Sequence, residues 1–242
     1  MLGKLQNAYP DVHLQAFTAV EVAHIAEVAK LSVRDALQEL KKAGLGSLPG
    51  GGAEIFSPRV RSLTCPEKLP GEKWLEVMRE AHHLGLRSNA TMLYGHVETI
   101  EERIDHMLNL RELQDETGGF MSFIPLAFHA ANTDMSDIPA TTGYADLKTL
   151  AIGRLMLDNF DHIKAFWIML GVKLAQVSLW FGVDDIDGTV VEERITHAAG
   201  ADTPQALTVQ ELRRLIVEAG RVPIERDTLY NFVDRESAGT IE

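Results

Sequence analysis

Short apolar runs and amphipathic stretches alternate along this chain about six times, and this alternation restricts the fold more than any single motif. Val22, Ile25, Ala26 and Ala29 recur at i, i+3, i+4 and i+7, which predicts one helix face. Ser32 is placed to cap a second helix with core face Val33, Ala36, Leu37 and Leu40, and Gly44 to close it at C′. Further helices are predicted around Trp74, Val77, Met78, Ala81 and Leu84, and around Ile100, Ile104, Met107 and Leu108. Two more are predicted with Leu147, Leu150, Ala151 and Leu155 inward, and with Leu174, Val177, Ser178 and Phe181 inward. Residues 12–17, 45–48, 86–92, 120–126, 162–168 and 183–187 read as the strands between them. One helix carrying Leu212, Leu215, Ile216 and Ala219 falls outside the cycle, and the polar tail is expected to fray after Val233.

Such alternation builds a parallel sheet covered by helices. An open doubly wound sheet and a (β/α)₈ barrel both satisfy it. The barrel is favoured because polar residues gather where strands end, at Glu54, Asn89, Thr91, Asp184 and Asp187, and barrels carry their sites at C-terminal strand ends. A full barrel has eight strands and about six are readable, while residues 2–8 read as the last turns of a helix. The expected fold is therefore α/β, an incomplete (β/α) barrel over residues 1–200 with a C-terminal helical extension, 201–242, packing on it. The unpaired edges of its outer strands are expected to favour self-association.

A net charge of −12 argues against nucleic acid or an anionic membrane surface as the main partner and leaves a small-molecule substrate as the expectation. No apolar run approaches the ~20 residues of a membrane span, and the first residues lack the regions of a signal peptide. The single cysteine, Cys65, excludes an internal disulfide and any cluster held by several thiolates of this sequence. It fits a reducing compartment, so a cytoplasmic location is expected.

Ser47-Leu48-Pro49-Gly50-Gly51-Gly52-Ala53-Glu54 has three glycines that permit positive φ and close approach to the main chain, but no lysine or Ser/Thr pair to complete a phosphate loop. By itself it fits a plain turn as well as a ligand loop. His82 and His83 share a helix and are expected at the surface. His96 follows a strand end, with Glu98 expected in the first turn of the next helix. Glu98, Glu101 and Glu102, interleaved with Arg103, read as a solvated face. No H-E-x-x-H or H-x-H pair exists, so no metal site is predicted; a metal-dependent hydrolase using His96 and Asp187 is the rival of another class. No G-x-S-x-G exists, and Cys65 falls in a segment that reads as exposed. Alternation sends Asp185 to one side and Asp184 to the other. Met107, Met121, Met156 and Met169 are expected in the core.

The strings themselves carry a resemblance. The glycine run through Phe56 resembles the fourth-strand region of the aminofutalosine synthases, radical S-adenosylmethionine enzymes of menaquinone biosynthesis. So do Arg87-Ser88-Asn89-Ala90-Thr91-Met92-Leu93-Tyr94-Gly95-His96-Val97-Glu98-Thr99, Leu113-Gln114-Asp115-Glu116-Thr117-Gly118-Gly119-Phe120 and Asp185-Ile186-Asp187-Gly188-Thr189. Arg154-Leu155-Met156-Leu157-Asp158-Asn159-Phe160 and Gly220-Arg221-Val222-Pro223-Ile224-Glu225-Arg226 match too, so nearly the whole chain is covered. Dehypoxanthine futalosine cyclases and deazaflavin-forming synthases are similar but match the Asp-Gly-Thr segment less well.

The resemblance implies a radical S-adenosylmethionine barrel in which a 4Fe-4S cluster cleaves S-adenosylmethionine. The adenosyl group then adds to 3-((1-carboxyvinyl)oxy)benzoate to give 6-amino-6-deoxyfutalosine and bicarbonate. It further implies that Gly50, Gly51, Gly52 and Glu54 wall the adenosyl site, with Asn89 and Thr91 toward the cofactor. His96, Asp187 and Arg226 are then expected to meet the substrate, Arg226 through a carboxylate. The family's C-x₃-C-x₂-C cluster motif has no match here. The expectation is a chain lacking its first βα units and inactive alone; a non-catalytic adenosyl-binding fragment is the alternative.

Overall fold

Capping chemistry sets where the helices begin. Thr18, Thr99 and Thr208 each form a capping box with Glu21, Glu102 and Glu211, and Ser32, Ser57 and Thr142 accept an amide hydrogen three residues on. The computed structural model describes residues 1–190, 194–200 and 203–234. It opens with α1 (Leu2–Ala8), α2 (Ala19–Ala29), α3 (Val33–Lys42) and β1 (Ser47–Leu48), followed by α4 (Pro58–Thr64) and α5 (Gly71–His83). Next come β2 (Arg87–Tyr94), α6 (Ile100–Thr117), β3 (Phe120–Ala127), α7 (Gly143–Met156) and β4 (His162–Ala165). The chain continues through α8 (Trp167–Leu170), α9 (Val172–Ser178), β5 (Asp185–Ile186), α10 (Ile195–Ala198) and α11 (Val209–Glu218).

All strand pairs are parallel and the sheet order, β1-β2-β3-β4-β5, is the chain order. The strand expected over residues 12–17 contributes one parallel bridge, Gln15 to Ser47, with Ala16 N donating to Ser47 O at 3.2 Å. The architecture is α/β, part of a (β/α) barrel. Among the described residues no helix is long and apolar enough to cross a membrane.

Side-chain partners distinguish the two faces of the sheet. Ser88 is bonded by His82 of α5, Tyr94 by Asp146 of α7, and Phe123 packs on Gly153 of α7, so these positions face the helices. Asn89, Thr91, Ser122, Lys164, Asp185 and Asp187 take the opposite face by alternation. A register shift between Ser88 and Asn89 sets Asn89 opposite Ser122.

Several expectations are corrected. Residues 162–168 are not one strand: β4 ends at Ala165, and Trp167 and Ile168 open a short helix, apolar because buried. Leu155 is 79% exposed, and Ile100, Leu108, Val177 and Phe181 also lie outside the core; α6 turns His106, Met107, Leu110, Leu113 and Gln114 inward instead. Ala29 is exposed. The segment read as exposed around Cys65 contains α4, and the thiol is buried at its end. The expected fraying after Val233 lies largely outside the described residues. Beyond residue 200, the chain touches α9 through Gln176 Nε2 donating to Leu215 O (2.9 Å) and Arg221 Nη2 donating to Leu179 O (3.1 Å).

Candidate functional site

The glycine run leaves β1 as a strap alongside β2. Gly50 O accepts from Thr91 Oγ1 (2.7 Å), Gly51 O from Trp74 Nε1 (3.1 Å), Gly52 O from Arg61 Nη2 (3.3 Å) and Ala53 O from Arg61 Nη1 (2.7 Å). Glu54 O then accepts from Leu93 N at 3.1 Å. A Cβ on Gly50 would lie 2.8 Å from Asn89 O, so this glycine is required by the neighbouring backbone. Gly52 and Glu54 take φ of +81° and +48°, the second unusual for a side-chain-bearing residue. The Glu54 carboxylate is held by Lys68 Nζ at 2.8 Å and keeps 16% of its side chain exposed.

Further along the inner face, Ser122 Oγ donates to Asn89 Oδ1 at 3.0 Å. Lys164 Nζ lies 3.1 Å from Asp187 Oδ1 and 3.6 Å from Asp185 Oδ2. The tail returns to this face: Arg226 grips Asp185 through Nε–Oδ1 (3.0 Å) and Nη2–Oδ2 (2.7 Å), and Tyr230 Oη donates to Asp185 Oδ2 at 2.7 Å. Tyr230 also stacks on His162 at 4.1 Å and lies under the Arg226 guanidinium at 4.0 Å. Burial would lower the Arg226 pKa, but the Asp185 carboxylate outweighs it and holds the pKa up. Burial and the same carboxylate push the Tyr230 phenol well above its ordinary range. Two cations and two carboxylates therefore balance on this face.

The structure brings together Gly50, Gly51, Gly52, Glu54, Asn89 and Thr91 along β1 and β2. It places Asp187 and Arg226 with the β4–β5 group. Arg226 is committed to Asp185, which leaves it no free fork for a substrate carboxylate. His96 stands apart with a side chain 1% exposed: Nε2 is 2.9 Å from Leu93 O, and Nδ1 is 2.9 Å from Glu98 Oε2. Its ring serves the turn rather than an open surface. Glu98 precedes the Thr99 cap and is not in the helix; it accepts from Gly95 N (2.6 Å), His96 N (2.9 Å) and Arg103. Burial pushes its pKa up, but the His96 and backbone hydrogen bonds prevail and hold it at about 2. His82 is not a surface residue, since it bridges Thr117 and Ser88.

Ser122, Lys164 and Tyr230 were not singled out as site residues from sequence, and Asp185 only as one of the acids of the 184–187 run. Alternation from Asn89 would have found Ser122 only with the register in hand, and the tail's pairing with β5 has no local signal. Arg61, which fixes the strap from outside, was missed with α4; the Ser57-Pro58 start was its readable sign.

Among the described residues no group of three or more His, Cys, Asp or Glu is placed to hold a metal ion. A 4Fe-4S cluster does not fit the residues present, since Cys65 is the only cysteine and is buried at the end of α4.

A family model described as CofH/MqnC C-terminal region matches residues 117–239. The chain is 55% identical over 237 residues to an aminodeoxyfutalosine synthase of Thermus thermophilus, covering 96% of this chain and 64% of that protein. It is 47% identical to an aminodeoxyfutalosine synthase of Streptomyces coelicolor, covering 98% and 64%. A 5-amino-6-(D-ribitylamino)uracil–L-tyrosine 4-hydroxyphenyl transferase of Methanosarcina acetivorans is 45% identical, covering 96% and 64%. The chain thus spans 64% of the length of these relatives. Among solved structures, methylornithine synthase (PylB) superposes with a TM-score of 0.57 at 14% identity, over 81% of this chain and 57% of that one, a likeness of fold.

Proposed function

Since the chain belongs to the CofH/MqnC C-terminal-region family, we propose that it forms the cofactor- and substrate-facing part of an aminodeoxyfutalosine synthase, a radical S-adenosylmethionine transferase of the futalosine route to menaquinone. The observation that carries this reading is the 55% identity over 96% of the chain, against 45% to the tyrosine transferase. Bound S-adenosylmethionine would supply the adenosyl group that is transferred. The strap and Glu54 would line its nucleoside, and Thr91 would hold Gly50 in place. Asn89, its carbonyl oxygen taken by Ser122, is left with its NH₂ as donor. Asp187, with Lys164 beside it, would meet polar groups of the substrate.

A cluster in such an enzyme requires ligands from outside this sequence, whose one cysteine, Cys65, is buried. A cytoplasmic location, residues 201–242 as an extension of the barrel, and self-association through sheet edges belong to the same proposal.

Titration calorimetry of the purified chain with S-adenosylmethionine and with 6-amino-6-deoxyfutalosine tests it. Binding of both supports the reading, and binding of neither, by a folded sample, sinks it. Preferential binding of 5-amino-6-(D-ribitylamino)uracil would transfer the chain to the tyrosine transferases.

A further inference from the structure

We propose that Arg61 is a positioning residue for the adenosyl wall: its guanidinium sets the course of the strap at Gly52–Ala53 and thereby the place of the Glu54 carboxylate. This rests on the reading of the strap as that wall. Arg61 is 5% exposed, and among the described residues no carboxylate pairs with it. Its Nε is buried without a hydrogen-bond partner. Burying a guanidinium without a counter-ion is costly, and folds seldom keep one where an apolar side chain would pack as well. What this one does is donate to two successive carbonyls, Ala53 O at 2.7 Å and Gly52 O at 3.3 Å.

These two peptide groups lie between the positive-φ residues Gly52 and Glu54, where the backbone departs furthest from an ordinary strand. The other strap carbonyls are held by Thr91 and Trp74, each with a single neutral donor. Arg61 alone spans the bend, and charge-assisted bonds are stronger than neutral ones. Beyond the bend, Glu54 O meets Leu93 N, and Phe56 N donates to His106 Nδ1 at 3.3 Å. The bend thus fixes how the strap rejoins β2, and with it the direction of the Glu54 side chain.

The test compares Arg61→Met and Arg61→Lys in the full chain. Amide exchange at Leu93, whose acceptor is Glu54 O, is followed beside Ala90 and Met92 of the same strand; affinity for S-adenosylmethionine is measured by calorimetry. We expect Arg61→Met to speed exchange at Leu93 and weaken binding by about tenfold or more, the size expected for losing charge-assisted bonds, with Ala90 and Met92 unchanged. Arg61→Lys should recover part of both, and it serves alone if the methionine variant does not fold. Unchanged exchange at Leu93, or equal acceleration along all of β2, overturns the proposal. If the wild-type chain binds no S-adenosylmethionine, the function proposed above fails, and exchange at Leu93 by itself decides the role of Arg61.

Discussion

Arg226 and Asp185, 41 residues apart in the chain, meet in a two-pronged ion pair that fastens the C-terminal segment to β5. Both are largely removed from solvent, with 23% and 10% of their side chains exposed. Removing one partner leaves a buried charge without its mate. Arg226→Met is expected to destabilise the chain by about 3 kcal/mol, the low end for a broken buried pair, since Lys164 remains near Asp185. Urea unfolding measures it; a loss near zero would mean that water already replaces the pair.

Tyr230→Phe removes one donor from the same carboxylate while keeping the stack on His162. The expected cost is about 1.5–3 kcal/mol, that of a hydrogen bond to a charged group. Thermal unfolding beside the wild type gives the value, and the two tail variants should not add, because they share Asp185.

Acid should weaken the fold before its carboxylates titrate. Burial lowers the His82 pKa to about 4 and that of His106 to about 3, below the 6.5 of a free imidazole. Below pH 6.5 the unfolded chain therefore binds protons that the folded chain refuses. This contribution to stability is complete above that pH and is lost as pH falls toward the folded values. Urea midpoints across this window should decline, and His82→Gln should flatten the upper part of the decline. A midpoint independent of pH there would contradict the burial of both rings.

Gly50 and Gly188 make a matched comparison. A methyl group on Gly50 would strike the backbone of β2 at 2.8 Å, whereas one on Gly188 meets nothing within 4 Å. Gly50→Ala should cost about 1–3 kcal/mol as overpacking, and Gly188→Ala should stay within about 0.5 kcal/mol. Melting curves of both distinguish a packing requirement from a general dislike of substitution.

Cys65 gives a simple probe of α4. Its thiol is buried, so a thiol reagent should label the native chain far more slowly than the chain in urea. Rapid labelling without denaturant would show that α4 lifts off the strap.

The helical cycle and the inward side of β2 were legible because their signals are local. Thr99 with Glu102 announces a cap, and Asn89 and Thr91 share a face by alternation. What failed was whatever depends on a distant neighbour. Leu155 looks like a core residue by spacing, yet its side of α7 faces outward. Glu98 looks like a first-turn acid, yet it is spent on the amides of the preceding turn. Arg226 has the chemistry to take a substrate carboxylate and takes one from its own chain instead. Trp167 and Ile168 extend an apolar run that a strand explains as well as a buried helix; the backbone bonds Leu170 N to Phe166 O and Gly171 N to Trp167 O make it a helix, which periodicity in so short a run does not announce.

The coincidence of sheet order with chain order bears on how the molecule is made. During synthesis each strand emerges beside the one already in place, so no strand waits for a later partner to be inserted between existing neighbours. The exception is the clasp at Asp185: two of its partners lie at 226 and 230, and β5 stays unlatched until some forty further residues have left the ribosome.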